Sequence, residues 1–196
     1  DIGLGIPAEP LFRSRDNRTT KQSAEEFNAF ESFNYPHLVD AGVNIVYHRD
    51  RMLQPDWQKP MVPHYRLDNN VIIFSLFPGV REDLIRHIIH TPNLRAIVMR
   101  TFGSGNAPQN PLLLNALREG TRNGKVIVNI SQCMQGCVEM DRYDTGFQLK
   151  EAGVVSGYDS TVESAVTKLM FLQSHYDDPE QIRQLMNRNI RGEISL

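Results

Sequence analysis

Cysteine is scarce in this sequence, with 2 Cys in 196 residues, and aromatic rings make up only 8% of it. Two thiols build no disulfide framework. They stand at Cys133 and Cys137, a spacing that fits neither a redox Cys-x-x-Cys nor half of a zinc site. Charge of one sign is also lacking. Lys+Arg 21 against Asp+Glu 23 leaves a formal net charge of -2, so no nucleic-acid partner is expected. No apolar run approaches the roughly 18 residues of a membrane span, which removes the membrane as a partner. The opening Asp1-Ile-Gly-Leu-Gly-Ile-Pro7 has neither a basic segment nor a long apolar one, so a cytoplasmic location is expected.

Several chemistries are missing too. There is no P-loop, and Pro108 stands where a dinucleotide fingerprint needs its third glycine. No Gly-x-Ser-x-Gly elbow occurs. His87 and His90 fall near one helix face, but no carboxylate or cysteine spacing completes a metal set, so neither metal nor cofactor is expected. Asn17-Arg-Thr19 and Asn129-Ile-Ser131 match the glycosylation pattern and are read as chance matches.

What is present centres on Arg100-Thr-Phe-Gly-Ser-Gly-Asn-Ala-Pro108. The apolar run Leu94 to Met99 before it reads as a buried strand. Asn110 and Pro111 behind it cap a helix bearing Leu113, Leu114 and Leu117. A glycine turn between strand and helix lies at the carboxyl edge of an open α/β sheet, where ligands bind. A second polar turn, Ser131 to Gly136, follows the strand Lys125 to Ile130 at the same edge. Together the turns bring Arg100, Asn106, Gln132 and Cys133 within reach of one another. Such a set suits a small amino acid, with a guanidinium for the carboxylate and amides for the remaining polar groups. A tight turn without ligand is the alternative, with Arg100 paired to a carboxylate such as Asp159 or Glu163. No activated nucleophile with its base accompanies the set.

Elsewhere the chain alternates strand and helix. Arg13 to Arg18 is a dense basic turn, suited to an anion or to an ion-pair patch. Ser23 and Glu26 form a capping box, predicting a helix with Phe27 and Phe30 facing the core. Val43 to Tyr47 reads as a short strand. From Arg49 to Asn70 the pattern breaks down among Pro55, Pro60 and Pro63, which suggests a linker with Trp57 as an anchor. Val71 to Phe77 is almost continuously apolar, predicting a strand covered on both faces. Gly146 to Gly153 suggests a short helix. Ser160 to Glu163 is a second capping box, and Asp178-Pro179 caps the last helix. The fold class is therefore α/β, a parallel sheet flanked by helices.

Met99 to Pro108, Ile130 to Gly136, Ala152 to Gly157, Thr161 to Met170 and Arg191-Gly-Glu-Ile194 resemble, in that order, the C-terminal half of bacterial cytosolic (type I) L-asparaginases. Asn17-Arg-Thr-Thr-Lys21 resembles a segment near the end of their N-terminal domain. The resemblance implies a flavodoxin-like C-terminal domain preceded by the tail of an N-terminal α/β domain. Residues 1–48 would be that remnant, 49–70 the linker and 71–196 the C-terminal domain. It implies hydrolysis of L-asparagine to aspartate and ammonia by a homodimer or homotetramer. Asn106 would bind substrate at a subunit interface, and Thr20, Arg100, Asn106 and Cys133 would bind an effector. The family's nucleophilic threonine, its second threonine and its lysine have no counterpart here, so this chain alone is expected to be inactive. A non-catalytic amino-acid-binding or oligomerisation module derived from an asparaginase is the alternative.

Overall fold

A computed structural model of the protein describes residues 16–53, 58, 60 and 62–195. Its centre is a parallel sheet of 4 strands in the order β5-β6-β7-β8: Val71–Ser75, Ala96–Thr101, Val126–Ser131 and Val155–Ser156. The expected α/β class holds. Among the described residues five helices accompany the sheet: α1 Glu82–Ile89, α2 Pro111–Arg122, α3 Asp144–Glu151, α4 Val162–His175 and α5 Pro179–Met186.

Successive strand residues point to opposite faces, and both faces of β6 and β7 are apolar. Ile97, Met99 and Ile127 pack with Ile85 and Ile89 of α1, Leu113 and Leu117 of α2 and Leu149 of α3. Ala96, Val98, Val128 and Ile130 pack with Leu169 and Leu172 of α4 and Ile182 and Met186 of α5. In this way α1 to α3 cover one face and α4 and α5 the other.

The helices begin where side chains satisfy their free N–H groups. Asn110 accepts from Leu112 N–H at 2.9 Å, and Asp178 from Glu180 N–H at 3.0 Å. For α4 the cap is Thr161, which accepts from Ser164 N–H at 3.1 Å. Ser160, one residue early in the expected box, instead donates to Gly157 O.

Two expectations fail. Ser23 does accept from the N–H groups of Glu25 and Glu26, but no helix follows. The chain reverses into an antiparallel pair, β1 Thr20–Lys21 with β2 Phe30–Glu31, leaving Phe27 fully exposed and Phe30 exposed. A cap satisfies a turn as well as a helix, and this segment brings no apolar stripe to a surface that would hold one. The strand β5 is also not covered on both faces, since Ile72 and Ile73 are 37% and 48% exposed. It is the first strand in the sheet order and so an edge.

A second antiparallel pair joins β3 Val39–Ala41 to β4 Ile45–Tyr47. Residues 62–70 run without regular structure along α4, where Asp68 N–H donates to Met170 O and Ser174 Oγ to Arg66 O. Trp57 and the opening through Arg15 lie outside the described residues. Among the described residues, no helix is long and apolar enough to cross a membrane.

Candidate functional site

The carboxyl edge of the sheet is built by the ends of β6 and β7. Arg100 sits in register with Ile130. Strand alternation therefore sends its side chain to the α4 face, the side of Val98 and Ile130. Its Nε is buried without a hydrogen-bond partner. Among the described residues the guanidinium has no ion pair. The two carboxylates that the sequence suggested for it are engaged elsewhere. Asp159 takes Arg18 in a two-pronged pair, with Nη1 to Oδ1 at 3.0 Å, and Glu163 accepts from Thr20 Oγ1 at 2.9 Å. The scaffold pairing open to Arg100 in sequence is thus not made.

Thr20 reaches Glu163 in the first turn of α4, on the same side of the sheet as Arg100. Asn106 lies on the other side. Its turn is closed by paired backbone bonds between Phe102 and Asn106, at 2.8 and 2.9 Å. Thr145 of α3 donates to its Oδ1 at 2.7 Å. That bond leaves the amide N–H₂ of Asn106 as the group on offer. Cys133 is exposed in the second turn, and its N–H donates to Ser131 Oγ at 2.9 Å. Gln132 donates to Leu76 O and Arg100 O, at 2.6 and 3.0 Å, tying the ends of β5 and β6. Thr20 and Arg100 thus share a side of the sheet, while the Asn106 side chain is held on the opposite side.

Sequence reading missed the support beneath the turns. Asn129 is fully buried. It accepts from Thr101 Oγ1 at 2.6 Å and donates to Gly105 O at 3.0 Å. A carboxamide so placed is no glycosylation acceptor. The available signal was a polar residue inside an otherwise apolar strand. Also missed was the docking of the early segment: Asn34 accepts from Gly136 N–H at 2.8 Å and donates to Asp159 O. For Cys137, burial and the neighbouring Glu139 carboxylate push the thiol up, so it stays protonated near neutrality.

An open groove of about 1110 Å³ runs beside β8, between Arg118, Val138, Arg142, Ser156, Tyr158 and Arg183, and includes none of the candidate residues. Its charges are largely paired internally, Arg142 with Glu139 and Arg183 with Glu180. Among the described residues, no group of three or more His, Cys, Asp or Glu could hold a metal ion.

A parallel sheet flanked by helices on both faces, with an unpaired guanidinium and two polar turns at its carboxyl edge, places the chain among open α/β domains. Residues 70–186 match the family model of the glutaminase/asparaginase C-terminal domain, and the chain belongs to that family. It is 40% identical over 185 residues to L-asparaginase 1 of Escherichia coli K12, covering 92% of this chain and 53% of that protein. It is 38% identical to the human 60 kDa lysophospholipase, covering 92% of this chain and 31% of that protein. Among solved structures, L-asparaginase I from Vibrio cholerae aligns with a TM-score of 0.87 at 36% identity, covering 94% of this chain and 56% of that one. The thermostable L-asparaginase from Thermococcus kodakarensis aligns with a TM-score of 0.77 at 32% identity. The chain spans about half the length of its bacterial L-asparaginase 1 relatives.

Proposed function

We propose that this chain is the C-terminal portion of an L-asparaginase, an amidohydrolase that converts asparagine to aspartate and ammonia, and that it contributes amino-acid recognition rather than the nucleophile. In this reading residues 1–48 are the remnant of an N-terminal domain, 49–70 the linker and 71–196 the C-terminal domain. Arg100 grips the α-carboxylate of L-asparagine as an effector, with Thr20 and Cys133 beside it, while Asn106 offers its amide N–H₂ to ligand.

The observation that carries the reading is the unpaired Arg100. A half-buried guanidinium costs free energy unless a partner repays it, and a carboxylate does so in two-pronged geometry. The two carboxylates that the sequence suggested for it, Asp159 and Glu163, are engaged by Arg18 and Thr20. A homodimer or homotetramer is part of the same reading. Arg100 and Asn106 leave opposite faces of the sheet, so a site that uses both draws on two copies. Two free cysteines fit the reducing cytoplasm.

Titrated with L-asparagine, the chain is expected to bind it saturably and to release no ammonia. Absence of saturable binding would overturn the recognition role. Ammonia release that tracks the purified protein peak would place the nucleophile on this chain and overturn the division of labour.

A further inference from the structure

We propose that Ser131 is the positioning residue that joins the turn carrying Asn106 to the turn carrying Cys133, so that the two move as one unit. Its functional meaning rests on the amino-acid-binding reading above. Ser131 closes β7 and pairs with Thr101 on the last rung of the ladder. Its Oγ donates to Gly103 O at 2.6 Å and accepts from Cys133 N–H at 2.9 Å. A hydroxyl has one proton to give. With that proton on Gly103, the oxygen is left to hold Cys133, and one atom serves both turns.

The strand supplies a second grip on the same face. Two residues earlier, Asn129 holds Gly105 O, so two carbonyls of the glycine turn hang from β7. The two grips differ in their surroundings. Asn129 lies in the core, anchored on Thr101. Ser131 is at the half-buried rim, where a ligand between the turns reaches it. The glycine turn is short and internally closed, Asn106 N–H to Phe102 O and Phe102 N–H to Asn106 O. A displacement at Gly103 is therefore passed to Asn106 rather than absorbed. A ligand that settles against Cys133 and Arg100 then biases the presentation of Asn106, and with it the face offered to another copy of the chain.

Site-resolved amide hydrogen exchange on wild type, Ser131→Ala and Ser131→Thr tests the link without ligand. Ser131→Ala is expected to speed exchange at Cys133, and at Gly105 and Asn106 with it, by about five- to tenfold. Ser131→Thr keeps the hydroxyl and is expected to hold both turns near wild type. Faster exchange at Cys133 alone, with Gly105 and Asn106 unchanged, would overturn the proposal. So would equal loss of protection in the threonine variant. Repeating the measurement with L-asparagine separates the two readings. Protection of both turns in wild type, reduced to one turn in Ser131→Ala, supports both. No effect of L-asparagine on either turn in wild type would sink the ligand reading, while the ligand-free comparison still decides the link.

Discussion

Arg18 and Asp159, separated by 141 residues of sequence, form a buried two-pronged ion pair, with side chains 1% and 10% exposed. The guanidinium also donates to Asn34 O and Ser195 Oγ, and Ser195 N–H donates to Asp159. The pair thus binds the early segment, the start of α4 and the closing segment together.

Breaking one partner leaves the other charge buried. Arg18→Ala is expected to lower the stability of the chain by about 3–5 kcal/mol, read as a shift in the denaturant midpoint. Burial alone would raise the Asp159 pKa, but Arg18 and Ser195 outweigh it and hold the carboxyl below its ordinary value. A depressed carboxyl stabilises the fold above its unfolded pKa and loses that contribution as pH falls toward the folded value. Wild type should therefore lose stability below about pH 4, and Asp159→Asn should lose less there. Parallel acid profiles for the two proteins would count against the pair.

The glycine turn distinguishes two kinds of glycine. Gly103 has φ +51° with open space where a Cβ would stand. Gly105 has φ +105°, and a Cβ there would lie 2.7 Å from Val138 Cγ1. Gly103→Ala should cost about 1 kcal/mol, the ordinary charge for a left-handed alanine. Gly105→Ala should cost clearly more, because strain and overlap add. Equal denaturant midpoints for the two variants would contradict this account of the turn.

Thr145 fixes the amide of Asn106. Thr145→Val removes the hydroxyl at nearly constant shape, and is expected to weaken L-asparagine binding about fivefold by releasing that amide. Thr145→Ser should retain affinity. Unchanged affinity in the valine variant would detach Asn106 from the ligand.

The strand β4 exposes Ile45, Val46 and Tyr47 at 61%, 50% and 55%, an apolar area of the kind that marks an interface. Light scattering is expected to find a dimer or larger species, with Ile45→Lys shifting it toward monomer. Trp57, expected from sequence to anchor the linker, lies outside the described residues. A monomer across a wide concentration range would contradict the assembly.

Much of the sheet was legible because β6 and β7 are buried on both faces, so their apolar runs, flanked by capped helices, admit few other structures. The same logic misread β5. An apolar run says that a strand meets something, and on this edge strand Ile72 and Ile73 are only partly covered among the described residues. Around Ser23 the local cap formed as expected while the helix did not, since a cap's hydrogen bonds do not choose between helix and turn. Arg100 was legible as a charge ending a buried strand. Thr145 was not, because its contact with Asn106 spans 39 residues and depends on where α3 packs. Asn129 carried a signal, a polar side chain in an apolar strand, that only its burial explains.

Calorimetric titration of L-asparagine into wild type, Arg100→Lys and Arg100→Ala tests the central claim most directly. A charged, two-pronged hydrogen bond is worth roughly 1.5–3 kcal/mol, or about ten- to a hundredfold in affinity. Lysine keeps the charge and loses the fork, so Arg100→Lys should weaken binding almost as much as Arg100→Ala. Equal affinity in all three proteins, or no binding by wild type, would leave Arg100 as a residue of the scaffold and contradict the account.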